Sequence, residues 1–145
     1  MRRILFATDF SKASRKAFTT AVQAAKREHA TLSIVHALAP YLPITADQYI
    51  KPDMWDQIDR DSRRWATRHL HALAAKAKTA GVRAQTFLLD GIPAKEIQRV
   101  AKRQHADLLV IGTHGRTGFA KLFLGSVANQ IVATSTCPVM TVRGQ

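Results

Sequence analysis

The residues best suited to chemistry are Gly112-Thr113-His114-Gly115-Arg116-Thr117-Gly118, then Phe119 to Leu124, then Gly125-Ser126-Val127-Ala128-Asn129. Glycines at the end of a strand let the backbone approach an anion closely and turn its N–H groups toward it. Gly125-Ser126 stands where a helix begins. There the unpaired N–H groups and the positive end of the helix dipole favour phosphate, and the Ser126 hydroxyl adds a donor. Arg116 and Lys121 lie on the same loop. The chemistry indicated is the holding of an anion; the plain alternative is a glycine loop that only turns the chain into a helix. Two other phosphate signatures are absent. No Gly-x4-Gly-Lys-Ser/Thr string occurs, and Ala7-Thr8-Asp9-Phe10-Ser11 lacks the glycines of a dinucleotide fingerprint.

Little else suggests catalysis. No nucleophile stands beside a base in a recognisable arrangement. No His-Glu-x-x-His or comparable spacing offers a metal site, and the single cysteine, Cys137, excludes an internal disulfide. No catalytic residue and no protein-held metal are therefore expected. Asp9 could hold Mg²⁺ through waters if a nucleotide were bound. His69 and His71 are two apart on a helix and share no face. His36 ends an apolar strand and His114 lies inside the glycine loop; Trp55 and Trp65 read as packing anchors or part of an interface.

These residues are positioned by alternating strand and helix signals. Arg3 to Thr8, Thr31 to Leu38, Arg83 to Asp90, Asp107 to Gly112 and Pro138 to Arg143 read as strands, the fourth being an unbroken apolar run stopped by glycine. Helical spacing runs from Lys12 to His29, with Asp9 or Ser11 as its cap, and from about Trp55 to Ala80. The inner stripe of that second helix reads as Ile58, Trp65, Leu73 and Ala77, and its outer face as the pairs Asp56/Arg60 and Asp59/Arg63. Ala39 to Met54 contains Pro40, Pro43 and Pro52 and reads as a loop. Gly91-Ile92-Pro93 opens a third helix, and Ser126 to Thr134 forms a fourth. The order is β-α-β-α-β-α-β-α-β. This is an α/β chain with a five-stranded parallel, doubly wound sheet. Ligands in such sheets bind beyond the carboxyl ends of the strands, which points to Thr8-Asp9, His36, Asp90-Gly91 and Gly112-Thr113-His114.

Gly112-x2-Gly115-x9-Gly125-Ser126 resembles the nucleotide-binding signature of the universal stress protein family. The resemblance extends to Ile4 through Ser11, Ile34-Val35-His36, Gly91-Ile92-Pro93-Ala94 and Cys137 through Val142, so it covers essentially the whole chain. It implies a Rossmann-like fold of the adenine nucleotide alpha hydrolase type, strand order 3-2-1-4-5, over a single domain, residues 1–145. It also implies the family's ATP-binding class, with ATP as ligand. On the matching positions, Asp9 would contact the ribose or adenine, and Ala7 and Val35 would line the adenine pocket. Ile111, Gly112, His114 and Gly115 would hold the ribose and first phosphates. Gly125, Ser126, Val127 and Ala128 would cradle the outer phosphates. Ala7 stands where the family often has proline. The last strand commonly pairs with its counterpart in a second subunit, implying a homodimer through Pro138 to Arg143, whose apolar edge would otherwise be a pairing liability.

Composition bounds the remainder. A chain of 145 residues with 46% hydrophobic residues suits one globular domain, and no apolar run approaches a membrane span. The N-terminus has too short an apolar stretch for a signal peptide, so a cytoplasmic location is expected. Lys and Arg number 22 against 10 Asp and Glu, giving +12. From Leu73 onward the acids are Asp90, Glu96 and Asp107 alone. Such a field concentrates anions, and Arg60, Arg63, Arg64 and Arg68 make a basic helix face. Against nucleic acid, no recognition motif is present and aromatics do not interleave with the basic residues. The leading expectation is an ATP-binding regulatory module of the stress response with at most slow hydrolysis. The alternative is a polyanion-binding or partner-docking protein with a vestigial nucleotide site.

Overall fold

Strand β1 (Arg3–Ala7) lies at the centre of a five-stranded parallel sheet of order β3-β2-β1-β4-β5. The other strands are β2 (Thr31–Leu38), β3 (Ala84–Asp90), β4 (Leu108–Gly112) and β5 (Val139–Val142). The computed structural model describes residues 1–40, 51–113 and 124–144. The ladder sets Ala7 beside both Val35 and Ile111, so the carboxyl ends of β1, β2 and β4 finish at one level. The order reverses between β1 and β4, which opens a crevice between their loops.

Strands β1 and β4 are apolar on both faces because helices cover both. Helices α1 (Lys12–Glu28) and α2 (Pro52–Thr79) bury Ala17, Ala21, Leu70 and Ala77 against Ile4, Phe6, Leu32, Ile34 and Val110. On the other face, α3 (Pro93–Arg103) and α4 (Ser126–Thr134) bury Ile97, Val100 and Ile131 against Leu5, Val35, Leu109 and Ile111. Each large apolar side chain so enclosed contributes about 1.5–3 kcal/mol of burial. Among the described residues no helix is long and apolar enough to cross a membrane.

Helix boundaries follow local chemistry. The Ser11 side chain accepts from the Ser14 N–H at 3.2 Å and caps α1, while His29 in the left-handed region closes it. Pro93 occupies the first turn of α3, where its missing N–H costs nothing. Pro52 does the same for α2, which therefore starts before the expected Trp55. The expected loop from Ala39 to Met54 is shortened accordingly, its residues 41–50 lying outside the described part. The buried stripe of α2 is Ala66, Leu70 and Ala77, with Leu73, Trp65 and Ile58 only half-buried. Alanines at 66 and 77 let α2 approach the sheet on either side of Leu70, while Trp65, Leu73 and Ile58 lie at the margins of the contact. Of the two charge pairs expected there, Asp59–Arg63 forms at 2.9 Å, while Arg60 bonds Gln57.

Candidate functional site

The turn after β1 is tightly organised. The Thr8 N–H continues the ladder to the Val35 carbonyl, and the Thr8 hydroxyl pairs with the Ser14 hydroxyl at 2.6 Å. One Asp9 oxygen accepts the Ser11 N–H at 2.9 Å. Its other oxygen has no protein partner among the described residues. Phe10 sits at φ 62, a conformation costing a residue with a Cβ about 1–2 kcal/mol. Its N–H bonds the Thr8 hydroxyl, and its ring packs on His36 at 4.5 Å and edge-on to Trp65 at 5.2 Å. Trp65 stacks in turn on His69. His36 Nδ1 lies 2.7 Å from the Thr8 carbonyl; since a carbonyl only accepts, that nitrogen carries a proton and donates.

Opposite this turn, Thr113 follows β4 with its N–H on the Val142 carbonyl, and its own carbonyl accepts the Gly125 N–H. These two bonds bring the start of α4 up to the end of β4. Gly125 is the N-cap and no side chain caps the helix. Intrahelical bonding begins with the Asn129 N–H on the Gly125 carbonyl. The Ser126, Val127 and Ala128 N–H groups therefore lack backbone partners among the described residues, which is the state that favours an anion. Gly112 has a separate structural duty. A Cβ there would stand 3.2 Å from the Ala13 carbonyl carbon, so a side chain at this position would press on the backbone of the first turn of α1.

Between these walls lies a cavity of about 170 Å³ at the switch point between β1 and β4. It is lined by Ala7, Asp9, Ile111, Gly112, Gly125, Ser126, Val127 and Ala128, all expected from the sequence. Thr8, His36 and Thr113, which the strand-end rule indicated, line it too. Val35, expected in the adenine wall, is fully buried between Ala7 and Phe87 and does not line the cavity; His36 and Ala37 take that place. His114 and Gly115 lie outside the described residues. Sequence reasoning missed Ala37, Pro93 and Ile97. The signal for the last two was present: Pro93 fixes the start of α3 near the strand ends, and Ile97 lies one turn further along the same face. An open cleft of about 520 Å³ shares Asp9, His36 and Ala37 with the cavity and extends to Asp61, Ser62 and Trp65.

Asp90-Gly91 lines a different cleft, toward α2. There Arg63 reaches Asp90 with both terminal nitrogens and Asp59 with Nε, and these bonds, Asp90's first, raise its pKa above the usual arginine value. Arg63 is thus held within the protein, while Arg60, Arg64 and Arg68 on the same helix are exposed. Among the described residues no group of three or more His, Cys, Asp or Glu side chains could hold a metal ion.

The sequence model of the universal stress protein family matches residues 1–143. The chain belongs to this family. The universal stress protein YxiE of Bacillus subtilis (strain 168) is 35% identical, the match covering 97% of this chain and 98% of that protein. Among solved structures, the universal stress protein UspA of Lactobacillus plantarum superposes with a TM-score of 0.73 at 25% identity, covering 98% of this chain and 97% of that one. A universal stress protein solved in complex with cAMP superposes with a TM-score of 0.71 at 26% identity, covering 99% and 98%. The expected sheet of order 3-2-1-4-5 is the family's fold, and the cavity lies where that fold opens.

Proposed function

We propose that this universal stress protein binds an adenine nucleotide, ATP with Mg²⁺, in the cavity between β1, β4 and α4. One observation carries this reading: the N–H groups at the start of α4 without backbone partners, and the Asp9 oxygen without a protein partner, among the described residues belong to residues that line one cavity at the switch point. The helix end suits phosphates, and Asp9 suits a ribose hydroxyl or the water shell of magnesium. A relative of the same fold whose structure contains cAMP supports an adenine nucleotide as the ligand class. The wall supplies backbone donors, hydroxyls, one carboxylate and one imidazole, groups that hold a nucleotide in place. Such a site acts through occupancy, as a regulatory module of the stress response in which hydrolysis is at most slow. A homodimer through the exposed edge of β5 accompanies this reading, since Met140 and Thr141 are exposed there.

Calorimetry with Mg-ATP tests it, using wild type and Ser126→Asp, with circular dichroism to check the fold. Ser126 is exposed at the start of α4, where a carboxylate complements the helix dipole while it repels phosphate from the same place. Micromolar binding in wild type, weakened at least tenfold in the variant, is expected. Titration with ADP, AMP and cAMP then ranks the phosphate contacts. Absent binding in wild type would remove the proposal, as would equal affinity in both proteins.

A further inference from the structure

A parallel sheet sends every strand start, and every following helix end, to one pole, and here that pole is strongly basic. Helix α1 ends on Lys26-Arg27, α2 on Lys76 and Lys78, and α3 on Lys102-Arg103, all exposed. Arg2-Arg3 lead into β1 and Arg83 leads into β3. The backbone bonds Thr31 N–H to Arg2 carbonyl and Leu32 N–H to Arg83 carbonyl fix their lateral order, about 10 Å apart across β2. Among the described residues the acids at this pole are Glu28 and Asp107, and the Asp107 carboxylate is engaged by the Arg2 and Arg3 N–H groups. None of these cations forms an ion pair among the described residues. At the opposite pole Asp9, Asp53, Asp56, Asp59, Asp61, Asp90 and Glu96 offset the cations there, which include Lys12, Lys16, Lys51, Arg60, Lys95 and Arg99.

Helix dipoles favour cations at the ends of α1, α2 and α3. That accounts for the helix-end lysines and arginines, and for Arg3, whose guanidinium donates to the Gln104 carbonyl at the end of α3 at 2.9 Å, but not for Arg2 and Arg83, whose charge extends the patch across the sheet between the two helical layers.

We propose that this pole is a binding surface for the phosphate backbone of double-stranded nucleic acid, read without regard to sequence. Its chemistry selects among polyanions. No Phe, Trp or Tyr stands among the described residues of the pole, so single-stranded bases have no stacking platform. Among the described residues its exposed large apolar side chains are Met1 and, in the last turn of α4, Val132, too few to form an apolar face that enters a bilayer or an apolar centre for a protein interface. Duplex backbone requires neither; clustered cations that release counterions suffice. The lack of a recognition motif and of interleaved aromatics argues against base reading and leaves backbone contact untouched. The surface lies about 16 Å from the Thr8 turn, a distance of five strand residues, and is independent of the nucleotide reading.

The test is fluorescence anisotropy of a short labelled DNA duplex of random sequence, titrated with the full chain between about 50 and 200 mM salt. The pole variant is Arg27→Gln/Arg83→Gln/Arg103→Gln. The control, Arg60→Gln/Arg64→Gln/Arg68→Gln on α2, carries the same net charge. All six side chains are exposed, and circular dichroism checks both folds. Wild type is expected to bind with a steep salt dependence. The pole variant should bind roughly tenfold or more weakly at low salt, with a salt slope shallower by about 0.9 for each phosphate it no longer neutralises. The control should stay within about twofold of wild type, because bulk charge alone contributes only at long range through a screened field. Equal weakening in both variants, or no binding by wild type, would overturn the proposal. Sedimentation of wild type with phosphatidylserine vesicles, without duplex binding, would overturn it in favour of a membrane surface.

Discussion

His36 Nδ1 donates to the Thr8 carbonyl across 2.7 Å, tying the end of β2 to the turn that follows β1. The bond sets the imidazole against the Phe10 ring and at the wall of the cavity. His36→Leu keeps the volume and removes the donor, leaving a part-buried carbonyl without this partner, and should cost about 1–2 kcal/mol of stability. His36→Asn keeps a donor near the same place and should recover part of that stability. Urea unfolding of the three proteins decides it; a leucine variant as stable as wild type would mean the bond does not hold the turn.

Gly112 and the first turn of α1 make a second, purely steric prediction. The atoms a Cβ would meet are the Ala13 carbonyl carbon at 3.2 Å, its oxygen at 3.3 Å and the Ser14 nitrogen at 3.3 Å, all backbone. A helix's first turn cannot yield as a flexible side chain does. Gly112→Ala should therefore destabilise the fold by about 1–3 kcal/mol, the usual range for overpacking. Thermal unfolding without ligand isolates this from any effect on binding, and an unchanged Tm would refute the close approach.

Asp107 supplies a pH-dependent prediction. The Arg2 and Arg3 N–H groups, Arg2's first, hold its carboxyl below the usual 3.8. A carboxylate whose folded pKa is lowered stabilises the fold above its unfolded value and loses that contribution as pH falls through the folded one. Asp107→Asn should lower Tm by a few degrees at pH 7. The gap should narrow below about pH 4 and close once the wild-type carboxyl is protonated. A gap that stays constant down to pH 2 would show that the ionised form contributes nothing.

The apolar runs of β1, β2 and β4 were legible because a strand covered on both faces has nowhere to place a polar side chain. Gly125-Ser126 was legible as the start of α4 because glycine is tolerated at a helix N-cap. What escaped the sequence depended on tertiary contacts. The bond of Arg63 to Asp90 spans 27 positions, so only its local partner Asp59 showed in the spacing. The face that α2 buries centres on Ala66, Leu70 and Ala77, where alanines carry a weak hydrophobic signal, while the stronger signal of Trp65 belongs to the flank. Val35 and His36 are adjacent on β2 and point to opposite faces; which of them meets the cavity depended on α3 covering the first.

The edge of β5 carries the last prediction. Leu109 N–H bonds the Pro138 carbonyl and Thr113 N–H bonds the Val142 carbonyl, so alternate residues from Pro138 to Val142 face β4. By the same alternation Val139 and Thr141 turn their N–H and C=O groups away from β4, toward the open edge. Thr141 is exposed, and no strand among the described residues pairs beyond β5. Thr141→Pro removes an outward N–H and leaves the β4 ladder intact, since proline is tolerated on an edge. If two chains join through this edge, the substitution should convert a dimer of wild type to a monomer with unchanged circular dichroism. Light scattering at several concentrations reads the mass directly. A variant that stays dimeric would place the interface elsewhere on the molecule, and a monomeric wild type would remove it.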